Sequence, residues 1–96
     1  MTPDDLDRKL ALIERFAALH PEYGDPRIAR GSCRLATRQF VEMAKAAGVE
    51  ASAAFSLGGP EGNHCTVNVG EYSVDFTARQ FNRDAPFPLI VRRERT

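Results

Sequence analysis

The sequence predicts a single α+β domain, in which an N-terminal helix and a cysteine-bearing helix pack on a small antiparallel sheet. Three observations lead there. Apolar residues recur at helical spacing before Pro21, and again between Cys33 and Gly48. Apolar and polar residues then alternate one for one over 49–57 and over 64–77, the period of a half-buried strand. Gly70-Glu71 sits in the middle of the second alternation, where a two-residue hairpin turn with glycine first fits.

Composition bounds the answer further. Ninety-six residues, 43% of them hydrophobic and 27% charged, suit one domain over residues 1–96 with one core. Thirteen basic and thirteen acidic residues give a formal net charge of zero, which argues against nucleic acid as a partner. No run is long and apolar enough to cross a bilayer, so no membrane partner is expected. The start, Met1-Thr2-Pro3-Asp4-Asp5, is acidic and lacks the basic-then-apolar pattern of a secretory signal, so a cytoplasmic location is expected. Cys33 and Cys65 permit one disulfide, which that compartment disfavours. Zinc on Cys33, His64, Cys65 and His20 is disfavoured too. His64 and Cys65 are adjacent on a strand and point to opposite faces, and no Cys-x-x-Cys occurs. No metal or cofactor is expected.

In chain order, Thr2 reads as an N-cap, with Pro3 at the first helical position and Asp4 and Asp5 where the dipole favours acids. Leu6, Leu10, Ile13 and Ala17 form one stripe, widened by Leu12, Phe16 and Leu19. The helix should stop at His20-Pro21, with His20 an end residue and not a catalytic one. Pro21 to Gly31 reads as a loop, with Tyr23 and Asp25 as its polar contacts. A second helix should run from Cys33 to about Ala47 and end at Gly48. Cys33, Ala36, Phe40, Met43, Ala44 and Ala47 share its core face. Arg38 and Glu42 stand at the spacing of an ion pair. Val49 to Leu57 reads as a strand, and Gly58-Gly59-Pro60-Glu61-Gly62 as a turn rather than a phosphate loop. After the hairpin, 78–82 reads as a turn or short helix. Leu89-Ile90-Val91 reads as a short edge strand and 92–96 as a charged tail.

The chemistry-bearing residues gather around Cys33. Ser32 is a good N-cap by its hydroxyl, and Gly31 leaves room for a ligand to approach. A thiolate at the first helical position faces free N–H groups and the positive end of the dipole. A small buried core residue is the other reading of a lone cysteine. The hairpin adds to the case. The Gly70-Glu71 turn pairs Val69 with Tyr72, Val67 with Val74, Thr66 with Asp75, Cys65 with Phe76 and His64 with Thr77. One face is then Cys65, Val67, Val69, Tyr72, Val74 and Phe76. The other is His64, Thr66, Asn68, Ser73, Asp75 and Thr77, which brings His64 and Asp75 within reach of each other on neighbouring strands.

Cys, His and Asp in this order, on helix, strand and strand, resemble the transglutaminase-like branch of the papain-like superfamily. The motifs that carry the resemblance are Gly31-Ser32-Cys33, Ala46-Ala47-Gly48-Val49, His64-Cys65-Thr66-Val67-Asn68-Val69 and Val74-Asp75-Phe76-Thr77. The run Asp75-Phe76-Thr77-Ala78-Arg79-Gln80-Phe81 is similar to one in small bacterial and phage papain-fold proteins, toxin domains included. The resemblance covers about Gly31 to Phe81. It implies a minimal papain-like core with Cys33 as nucleophile, His64 as general base and acid, and Asp75 orienting the imidazole. The expected function is thiol-dependent acyl transfer on an amide or ester, as a peptidase, amidase, protein deamidase or transglutaminase. A protein or peptide is the expected substrate. No upstream glutamine supplies a second oxyanion donor, so Tyr23 or a loop N–H is left for that role. Gln80 is a second contact to the site or a turn cap, and Asn63 flanks the site. Cys65 should be buried and inert. The alternatives are a catalytically silent binding or adaptor module on the same fold, and a small structural domain in which both cysteines are core. Arg27, Arg30, Arg34 and Arg38 leave nucleic-acid binding as an outlier.

Overall fold

Four antiparallel strands, ordered β1-β2-β3-β4 as they occur in the chain, carry helices on one face. The computed structural model describes residues 3–59 and 62–92, with side chains over 7–55 and 64–92. The expected Thr2 cap, Pro60 and Glu61 of the glycine-rich turn, and the tail beyond Arg92 lie outside the described residues. So do the side chains of Leu6, Leu57 and Asn63.

Helix α1 spans Pro3–Leu19 and ends where His20-Pro21 requires. It buries Leu12, Ile13, Phe16 and Ala17, while Leu19 stays exposed. The segment expected to be a loop folds more tightly than that. Pro21–Gly24 makes a 3-10 turn, and Pro26–Ala29 a one-turn helix, α2, because each begins with a proline that presets helical φ. Asp25 caps α2 by accepting from the Arg27 N–H at 2.9 Å. That hydrogen bond, and the Arg27 guanidinium beside it, hold the Asp25 carboxyl below its usual range.

Helix α3, Cys33–Ala46, buries Ala36, Thr37, Phe40 and Ala44. Gly48, at φ +73°, takes the left-handed conformation that closes it. The Val49 N–H reaches the Ala44 carbonyl at 2.8 Å and the Gly48 N–H the Lys45 carbonyl at 3.2 Å, a Schellman motif. The N-terminal cap differs from expectation. The Ser32 hydroxyl turns back to donate to the Ile28 carbonyl at 2.6 Å, so no side chain caps the first turn of α3. Ser32 sits at φ −103° and ψ 4°, outside the extended conformation from which a serine reaches forward.

Strand β1 spans Ser52–Gly59, β2 Gly62–Val69, β3 Tyr72–Asp75 and β4 Leu89–Arg92. Gly58, Gly59 and Gly62, expected in a turn, therefore belong to strands. β1 begins three residues later than the alternation suggests, because Val49 is used in closing α3. Its apolar face is not buried either. β1 is an edge strand that α3 overhangs without covering, and Phe55 remains 45% exposed. The hairpin holds the expected register at Val67–Val74, Asn68–Ser73 and Val69–Tyr72. Gly70, at φ +58°, makes the turn. Beyond Val74 the expected pairing with β2 stops. β3 ends at Asp75, whose carboxylate takes the Thr77 N–H and turns the chain away.

The core joins the layers through aromatic rings. Phe16 of α1 lies 5.5 Å from Phe40 of α3 and 4.6 Å from Phe76, and Phe40 lies 5.2 Å from Phe76, all between ring centroids. Val67, Val69 and Val74 close the core from the sheet with no exposure. Phe16→Ala should cost about 3–5 kcal/mol, against about 0.5 kcal/mol or less for the exposed Leu19→Ala. Guanidinium unfolding reads both, with the slope unchanged if the compact states are unaltered.

Candidate active site

His64 and Asp75 meet. His64 Nε2–H donates to Asp75 Oδ2 at 2.7 Å, and the two side chains are only 16% and 13% exposed. The hairpin register sets this up by sending both residues to the face away from α3. Asp75 Oδ1 accepts from the Thr77 N–H at 2.9 Å and the Thr77 hydroxyl at 3.3 Å. Both carboxylate oxygens are thus committed, and the carboxylate holds one orientation against the imidazole.

The second imidazole nitrogen is occupied as well. Gln80 Nε2–H donates to His64 Nδ1 at 3.3 Å and to Thr77 Oγ1 at 3.0 Å. An amide nitrogen can only donate and an ionised carboxylate can only accept. The two contacts therefore fix the neutral tautomer, with hydrogen on Nε2 and the lone pair on Nδ1. Phe81 packs edge-on against the imidazole at 4.8 Å between centroids. Thr77 and Phe81 were not singled out by sequence reasoning. The Asp-x-Thr spacing was the available signal for Thr77. Gln80 proves to be a contact of the site rather than a turn cap alone.

Cys33 is not joined to this network. Among the described residues no hydrogen bond links it to His64, Asp75 or Gln80; its thiol neighbours that of Cys65 instead. Cys65 follows His64 directly in β2, so its side chain faces the opposite, helix-covered side. Burial first, and the adjacent Cys33 second, push the Cys65 thiol up from its ordinary pKa, while Arg34 pulls it down. Both cysteines are free thiols, Cys65 buried and Cys33 half-buried.

The loop residues serve the fold. Tyr23 is buried and its hydroxyl donates to Gln39 Oε1 at 2.7 Å, which removes it as the expected oxyanion donor. Burial, with Glu22 nearby, raises its pKa. Asp25 is a cap, and His20 pairs with Glu22 at 3.3 Å and packs at a tilt against the Phe16 ring. Arg79 ties the two segments flanking the site, donating to the Gly24 carbonyl at 3.0 Å and the Ala85 carbonyl at 2.9 Å. No cluster of three or more metal-ligating side chains occurs among the described residues, and no described helix is long and apolar enough to cross a membrane.

Alkylation of Cys65 by iodoacetamide should be slow at pH 8. In Cys33→Ser its midpoint should move to lower pH, because a neighbouring charge that opposes the Cys65 thiolate is gone. Mass spectrometry of the modified peptides, taken across pH, reads this directly. Thr77→Val should cost about 1–3 kcal/mol of stability by leaving donors and acceptors around a 1%-exposed position unpaired.

Compared with protein-family models, characterised proteins and solved structures, the chain finds no match.

Proposed function

We propose that the protein is a thiol-dependent acyl-transfer enzyme acting on an amide or ester of a protein or peptide, with a minimal papain-like arrangement of Cys33, His64 and Asp75. The observation that carries this reading is the His64–Asp75 pair, oriented so that Nδ1 is the basic nitrogen. Nδ1 takes the proton of the Cys33 thiol, and the sulfur forms a bond to the substrate carbonyl carbon. The carbonyl oxygen gains charge, and the Cys33 N–H in the uncapped first turn of α3 is a donor for it. The carbon–nitrogen or carbon–oxygen bond then breaks as Nδ1–H returns its proton to the leaving group. Water or an amine, deprotonated at Nδ1, resolves the thioester. Asp75 stabilises the imidazolium throughout. Peptidase, amidase, deamidase and transglutaminase chemistry share these steps and differ in the acyl donor and in the group that resolves the thioester.

This reading requires Nδ1 to exchange Gln80 for the Cys33 thiol. It also requires the start of α3 to bring that thiol round the end of β2, since Cys33 lies beside Cys65 on the helix-covered side and His64 faces the other. A catalytically silent binding module is the second reading. It is favoured by the occupation of both imidazole nitrogens and by the Cys33–Cys65 contact.

Alkylation separates the two readings. If Cys33 is the nucleophile, its labelling at pH 6 should fall by about tenfold or more in His64→Ala, and by less in Asp75→Asn. Cys33 labelling that is slow, or indifferent to His64, would sink the enzyme reading.

A further inference from the structure

We propose that the groove between α3 and β1 binds an extended acidic segment of a protein partner, laid along the open edge of β1. The groove holds about 620 Å³. Its floor is Val41, Ala53, Phe55 and Cys65. Its rim is cationic, with Arg34, Arg38 and Lys45 against the single acid Glu42. The ion pair expected between Arg38 and Glu42 is not formed, and among the described residues none of the three cations has an acidic partner. Arg34 instead lies over the Phe55 ring, 4.9 Å from its centroid. A chain with no net charge thus concentrates three unpaired cations beside its most exposed aromatic floor.

Charge and spacing select the occupant. Arg34 and Arg38 are one turn apart, about 6 Å along the helix, close to the roughly 6.6–6.8 Å between same-face residues of a strand. A strand with acids at alternate positions would set each carboxylate under one arginine. β1 ends the sheet, so its outer main-chain groups are free to pair with such a strand. The methylene stems of those acids would lie over Phe55 and Ala53, which face the same side, while the intervening side chains would point away from α3. A nucleic acid would answer the cations but would leave the strand edge and apolar floor unused. A second copy paired through β1 would bring its own three cations against these. The proposal does not depend on thiol chemistry, and its test reads binding alone.

The test is fluorescence anisotropy with a fluorescein-labelled peptide of alternating glutamate and valine, six residues long, and its lysine–valine counterpart. Saturable binding of the acidic peptide to the wild-type chain is expected, about tenfold or more tighter than the basic one, and weakening with salt. The double variant Arg38→Glu, Lys45→Glu should invert the preference. Both positions are solvent-exposed, and the unfolding midpoint checks that the variant is folded. Gain of the basic peptide shows that loss of the acidic one is not unfolding. Hydrogen exchange should show added protection at alternate amides of Ser52–Phe55. No saturation up to millimolar peptide, equal affinity for both peptides, or no change at the β1 amides would overturn the proposal. Tighter binding of a thymidine dodecamer at the same cations would overturn it in favour of nucleic acid. Self-association that excludes the peptide would overturn it in favour of a second copy.

Discussion

The pleat of the β2–β3 hairpin is the constraint on which the rest depends. Side chains of a strand alternate sides, so one choice of register sorts every residue of both strands at once. With Gly70 turning the chain, Val67, Val69 and Val74 go to the side that receives Phe16 and Phe40. The same choice sends His64 and Asp75 to the other side. A slip of one residue on either strand would carry its valines into water and its polar residues into the aromatic core. At about 1.5–3 kcal/mol per large apolar side chain, the core holds the register, and the register holds the His64–Asp75 pair.

The pair also has a price that the surrounding groups must offset. An imidazole and a carboxylate this little exposed lose much of their hydration, and a half-satisfied polar network is worse than an apolar one. Here it is fully satisfied. Both carboxylate oxygens, both imidazole nitrogens and the Thr77 hydroxyl are hydrogen-bonded, and no buried side-chain nitrogen or oxygen among the described residues lacks a partner. The network therefore has a structural use whatever its chemistry, since it fastens the 3-10 turn at Ala78–Gln80 to the ends of β2 and β3.

Features encoded by local spacing were legible in the sequence. The limits of α1 and α3, the Gly70 turn, the hairpin register as far as Val67–Val74 and the meeting of His64 with Asp75 each follow from residues close in sequence or linked by one turn. Features set by docking between elements were not. That Ser32 bonds backward to Ile28 depends on α2, which the prolines hid inside an apparent loop. That Tyr23 spends its hydroxyl on Gln39 depends on how the loop lies over α3. The alternation in 49–57 correctly marked a strand. It carried no information on whether α3 reaches far enough to bury Phe55. The position of Cys33 is the same kind of case. Helix periodicity put it on the core face, but which residue of β2 it would meet was a matter of axial offset, and the offset selects Cys65.

That offset defines what catalysis would demand of this fold. Cys65 and His64 are neighbours in the chain on opposite sides of one strand, so a thiol touching Cys65 cannot reach the imidazole through the sheet. The path lies around its end. His64 is two residues from the start of β2, and α3 starts beside Cys65, the next residue. The Cys33 thiol would leave a buried sulfur contact, and Gln80 would release one of two hydrogen bonds while keeping Thr77. The released bond, at 3.3 Å, is the longer of the two. The Gln80 change is a side-chain motion, but a cysteine side chain with one rotatable bond cannot cover the detour, so the start of α3 would have to shift as well. The imidazole keeps its orientation, because Asp75, itself held by Thr77, continues to accept from it.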